Sequence, residues 1–208
     1  VLKYKGKVVI SLHFKPTITI RMVRKQCYLF FLCFIGVFAG YAQDQPLFTS
    51  IPLNNLDAFA DPGTNWLVAS DAIADISREA DLRPVPGNGV LVNIVSKKNR
   101  AHLITKESFG DVEMELDFMM AKGSNSGIYL QGRYEIQLFD SWARLHPAFS
   151  DCGGIYQRWD KAKKAGFEGH APLVNVARAP GLWQHLKIRF RAPRFDNNGV
   201  KTENARFE

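Results

Sequence analysis

One stretch of eighteen residues, Gly123 to Asp140 (GSNSGIYLQGRYEIQLFD), gathers a guanidinium, a carboxylate and side-chain amides at alternating positions. Successive side chains of a strand point to opposite faces, so Tyr134, Ile136 and Leu138 share one face and Arg133, Glu135 and Gln137 the other. Arg133 and Gln137 each lie about 6.6 Å along the strand from Glu135, from a rise of ~3.3 Å per residue. A polar row of this kind can hold a polyhydroxylated ligand, and its carboxylate can move a proton. A sugar-handling site is therefore the first hypothesis.

Within that row Glu135 is the candidate acid/base, with Arg133 close enough to bias its charge. The competing reading is a solvated strand face with an ordinary Arg–Glu pair, which is worth little. Asn125 and Ser126 fall in the Gly-rich turn, where turn chemistry alone explains them as well as ligand binding does. Asp140, followed by Ser141 and Trp142, ends the strand and serves either to bind sugar hydroxyls or a cation, or as a strand-end cap. Trp142, Tyr156 and Trp159 offer flat surfaces to sugar rings, and core packing is an equal use for each. His146, Asp151 and His170 lie in long loops. With Asp140 they could make an oxygen/nitrogen site for a divalent cation, but their spacing matches no compact metal motif. His185, two residues after Trp183, reads as structural.

The positioning elements are short strands. Residues 89–95, 101–105, 111–119, 128–130, 134–139 and 186–191 are predicted strands, with 153–158 as a further short one. In 111–119, Val112, Met114, Leu116 and Phe118 alternate with Glu113, Glu115 and Asp117. In 186–191, Leu186, Ile188 and Phe190 alternate with Lys187, Arg189 and Arg191. Such alternation marks strands with one buried and one solvated face. Helical periodicity is confined to a turn or two at 57–59 and 160–165. The long loops, 140–155 and 160–183, are rich in His, Trp, Arg and Pro. The pattern predicts an all-β sandwich or jelly roll.

Residues 22–42 read as a secretory signal peptide: a basic start at Met22-Val-Arg-Lys, an apolar run from Cys27 to Ala39, and small residues up to Ala42. The run is about 13 residues, short of the ~20 that span a bilayer, so no membrane span is expected after cleavage. Residues 1–21 precede Met22 and are read as an upstream extension outside the mature protein, although Val8, Ile10, Leu12 and Phe14 alternate as a strand would. The mature domain is placed at 43–208, with a secreted or periplasmic location. Of the 27 Lys and Arg, seven precede Gln43 and the other 20 are matched by 20 Asp and Glu. The domain is thus near neutral, which removes the electrostatic argument for a nucleic-acid partner. Past Ala42 the one cysteine is Cys152, so neither an intramolecular disulfide nor a thiolate metal cluster can form there, and a buried structural thiol is the expectation.

From about Asn65 to Glu208 the chain resembles a family of secreted bacterial domains, DUF1080, also described as 3-keto-disaccharide hydrolases. The matching residues are Gly87–Asn93, Phe109–Phe118, Gly123–Tyr129, Arg133–Asp140, Gly154–Tyr156 and Pro180–His185. The resemblance implies a concanavalin A-like jelly-roll β-sandwich whose concave sheet lines a ligand cleft. Family members continue with further strands, so an incomplete C-terminal end is expected here. The resemblance also implies hydrolysis of a glycosidic bond in a sugar oxidised at C3, with an oxidised di- or oligosaccharide as partner. Glu135 would be the catalytic carboxylate, and Arg133, Gln137, Asp140, Asn125, Trp142 and Tyr156 the substrate-binding set; no cofactor is assigned, and a divalent cation stays open. A non-catalytic carbohydrate-binding module on the same scaffold is the alternative. Residues 135–140 also echo the Glu-x-Asp-x-x-Glu strand of retaining β-glucanases. Gln137 stands where that chemistry needs an ionisable carboxyl, which argues against ordinary retaining hydrolysis.

Overall fold

The computed structural model describes residues 2–3, 6–12 and 16–24 by their backbone and residues 48–208, with side chains from Ser50 onward. The strands are, in chain order, β1 (Leu2–Lys3), β2 (Gly6–Leu12), β3 (Pro16–Arg24), β4 (Phe48–Ser50), β5 (Phe59–Ala60) and β6 (Trp66–Ala74). There follow β7 (Leu82–Asn93), β8 (Leu103–Phe109), β9 (Val112–Met120), β10 (Asn125–Leu130), β11 (Tyr134–Phe139) and β12 (Arg158–Asp160). The last are β13 (Ala165–Phe167), β14 (Trp183–Arg191), β15 (Arg194–Phe195), β16 (Lys201–Glu203) and β17 (Arg206–Phe207). Among the described residues there is no helix, and hence none long and apolar enough to cross a membrane.

Two antiparallel sheets make a jelly-roll sandwich. One has the order β11-β10-β2-β8-β5. The other runs β17-β14-β9-β3-β7-β6, with β4 beside β3. The core between them is what the alternation demands. Val112, Met114, Leu116, Phe118 and Met120 of β9 are buried against Ile128 and Leu130 of β10, Ile136 and Leu138 of β11, Leu103 of β8 and Ile188 and Phe190 of β14. Each such side chain contributes about 1.5–3 kcal/mol by leaving water. The outer face of β9 and β14 carries a ladder of acid–base pairs between directly opposed residues. Arg189 meets Glu113 at 3.1 Å, Lys187 meets Glu115 at 2.9 Å and His185 meets Asp117 at 2.8 Å.

Two expectations change. Asn125 and Ser126 lie in β10, paired with Phe139 and Leu138, because the tight turn sits earlier, where the Ser124 N–H reaches the Ala121 carbonyl. Strand β6 went unpredicted because Ser70 and Asp71 interrupt its alternation, and the structure places a register shift between Ala69 and Asp71 there. Strands β2 and β3 fall on residues that the sequence reading places outside the mature domain. Their backbones fill the slots between β10 and β8 and between β9 and β7, where adjoining strands would otherwise have unpaired edges. Residues 25–47, which include most of the expected signal peptide, lie outside the described residues.

Candidate functional site

The site is built on the β10–β11 hairpin at one edge of the five-stranded sheet. Gln131 and Gly132 both take positive φ, 56° and 64°, which lets the chain reverse tightly. The reversal fixes a register in which Tyr129 opposes Glu135 and Gly127 opposes Gln137. Opposed residues share a face, so Asn125, Gly127, Tyr129, Glu135 and Gln137 form one polar strip on the side away from the core.

Along this strip the β11 side chains lean diagonally. Gln137 Nε2 donates to Asn125 Oδ1 at 3.1 Å, one step beyond its direct partner Gly127. Glu135 leans the same way and lies over Gly127, where an added Cβ would run into its carboxylate. Gly127 is needed here for space. The Tyr129 side chain hydrogen-bonds the Glu135 carboxylate. Burial of the half-buried Glu135 pushes its carboxyl above the usual range, and the Tyr129 bond partly offsets this by favouring the ionised form. Gln137 is 3% exposed, so its amide is held rather than solvated.

The free edge of β11 is covered by residues 153–156. Gly153 N–H donates to the Gln137 carbonyl, Gln137 N–H to the Gly154 carbonyl, and Tyr156 N–H to the Glu135 carbonyl. Tyr156 therefore stands beside Glu135 across from Tyr129, and its ring meets Phe149 edge-on at 5.4 Å. The loop carrying this segment is pinned at several points. Asn175 Nδ2 donates to the Ser141 and Arg144 carbonyls, at 2.6 and 3.0 Å. Buried Asp151 accepts from the Ala148 N–H at 2.7 Å and faces Arg144 at 3.2 Å. Cys152 packs against the core, and burial pushes its thiol upward.

The structure thus brings Glu135, Gln137, Asn125 and Tyr156 together. Asp140 closes the turn, its Oδ2 accepting the N–H of Gly123 (φ 68°) at 2.8 Å. Arg133 is placed elsewhere. It lies in the exposed turn before β11 and lines a cleft of about 400 Å³ with Tyr134, Arg158 and Lys201. The expected Arg133 bias on Glu135 gives way to burial and Tyr129, because the turn carries the guanidinium off the strip. Trp142 and Trp159 stand out into solvent, 52% and 60% exposed. His146 and His170 are exposed and Asp151 is spent inside its loop; among the described residues no group of three or more His, Cys, Asp or Glu side chains is arranged to hold a metal ion. Sequence reasoning missed Tyr129 and Gly127. Counting back from the Gly132 turn along the hairpin would have set both beside Glu135.

A carboxyl raised by burial can take or give a proton, and the two amides and the phenol beside it can donate hydrogen bonds to a ligand oxygen. No curated protein and no solved structure matches the chain. The family model for the 3-keto-alpha-glucoside-1,2-lyase-like domain matches residues 55–206, most of the chain and all of this site, and the protein belongs to that family.

Proposed function

We propose that the domain opens the glycosidic bond of a sugar already oxidised at C3, with Glu135 as the acid/base. The observation that carries this reading is the position of Glu135, half-buried on an accessible sheet face with its carboxyl raised and a phenol, rather than a cation, bound to it. A ketone at C3 acidifies the C2 proton. Glu135 takes that proton, and the electron pair moves into the C2–C3 bond and onto the ketone oxygen. Collapse of this enolate forms the C1–C2 double bond and expels the glycosidic oxygen with its electron pair, which takes up a proton. Water adding across the double bond completes a net hydrolysis; without that step the product is the eliminated sugar. Gln137 and Asn125 support the developing charge. Their mutual bond commits the Asn125 oxygen and leaves its NH2 group as a donor.

The test is to incubate the full chain with a 3-keto-disaccharide and with the unoxidised disaccharide, for wild type and Glu135→Gln. Cleavage of the keto sugar alone, lost in the variant, is the expected result. Saturable binding without cleavage of either sugar would replace this reading with a binding module. The exposed Trp142 and Trp159 rings, which suit stacking on sugars, favour that second reading.

The leader at 22–42 supports export to the periplasm or beyond. An exported chain starting at Gln43 would lack β2 and β3, so cleavage there and those strand pairings exclude each other. N-terminal sequencing of the protein from the cell exterior separates them.

A further inference from the structure

We propose that Tyr129 is the positioning residue of the site, holding the Glu135 carboxylate across Gly127 with one of its oxygens left to work on the substrate. The inference rests on the reading of Glu135 as the acid/base. Three observations meet here. The hairpin register sets Tyr129 directly opposite Glu135. The Glu135 carboxylate occupies the space over Gly127, where any side chain would displace it. The Tyr129 side chain hydrogen-bonds that carboxylate.

The chemistry of the partner matters. A Lys or Arg opposite a strand carboxylate, the arrangement found on β9 and β14, sets a full positive charge against it, which in general favours the ionised form and makes a weaker base. A phenol is neutral at pH 7 and has one O–H to give. It aligns one carboxylate oxygen without adding a charge, and leaves the lone pairs of the other free for a C–H proton. The groups facing Glu135 from the neighbouring described elements fit this economy. They are Tyr129 on β10, Tyr156 on the segment covering β11, and the neutral Gln137 on β11 itself.

The experiment uses the full chain with 13C-carboxyl-labelled glutamate, the Glu135 signal being assigned by its absence in Glu135→Gln. In Tyr129→Phe the Glu135 titration should move to higher pH, because the lost bond favoured the ionised form. The acidic limb of kcat/KM on a 3-keto-disaccharide should move with it. On that limb the rate should fall about ten- to hundredfold, the size of one hydrogen bond to a charged carboxylate. Independently, the Tyr129 ring 13Cζ resonance of wild type should shift as Glu135 titrates and cease to do so in Glu135→Gln. This wild-type readout decides the question even if Tyr129→Phe folds poorly. A Glu135 titration unmoved in folded Tyr129→Phe, or a Tyr129 resonance blind to Glu135, overturns the proposal. A shifted titration in a protein that cleaves no keto sugar would uphold the Tyr129 link while removing the acid/base role.

Discussion

The sandwich carries two polar strips on its two outer faces, and they are built on opposite rules. On β9 and β14, Glu113, Glu115 and Asp117 each face a basic residue, and the pairs close at 2.8–3.1 Å. Arg189 and Lys187 each set a cation against a carboxylate there, and His185 sets an imidazole against Asp117. On β10 and β11, Glu135 faces Tyr129, and its neighbours are a glycine and two amides. Burial without a cation keeps its carboxyl raised. Both strips come from the same strand alternation, so alternation does not identify a site. The partner across the register does. A paired carboxylate solvates a face, whereas one raised by burial and set against a phenol and amides is the one proposed for proton transfer.

The comparison breaks most sharply at Glu135. Glu135→Gln should lower turnover of a 3-keto-disaccharide by about 10²–10⁴, the span of general acid–base catalysis, as read from kcat/KM. Its stability should change in the opposite sense. A carboxyl whose folded value is raised is favoured in its protonated form, so wild-type stability falls as pH rises from the ordinary carboxyl range through the raised value. The melting temperature of Glu135→Gln should therefore exceed that of wild type above this window, and the two should converge below it.

Next in size is Gly127→Ala. The new methyl meets the Glu135 carboxylate, and the crowding should cost about 1–3 kcal/mol in denaturant unfolding as well as activity. An unchanged activity would show that the carboxylate works from another position.

Asn125→Ala removes the acceptor of buried Gln137 and should cost about 1–3 kcal/mol, with kcat falling more than KM rises if the amides act on the transition state. The smallest effect belongs to the other strip. Lys187→Ala should cost less than about 1 kcal/mol, fade further in added salt and leave turnover untouched. A larger loss, or any loss of activity, would mean that the two faces do not divide stability and chemistry as described.

Much of this was legible in the chain. The inward sets of β9, β11 and β14 follow from period-two alternation, a local property that each strand carries by itself. The choice of Glu135, Gln137 and Asn125 followed from residue type and spacing, and the family resemblance added the fold and the chemistry. Strand β6 was hidden because its polar centre breaks the period, and its pairing with β7 carries a register shift at that centre. Arg133 was placed on the strip by counting along one strand, yet the turn ends there and swings it toward Arg158 and Lys201.

What the sequence by itself determined was the inventory: which side chains could do chemistry, and which faces of each strand turn inward. Beyond what the Gly132 turn signals, tertiary structure decided who stands opposite whom. Tyr129 meets Glu135 because two positive-φ residues fix the hairpin register, and Gly127 matters because a carboxylate from the next strand lies over it. Residues 153–156 seal the β11 edge only once a distant loop is tied to Ser141. The physical reason is that alternation is written in single residues, whereas register, close approach and edge cover are relations between segments that exist only when the chain has closed on itself.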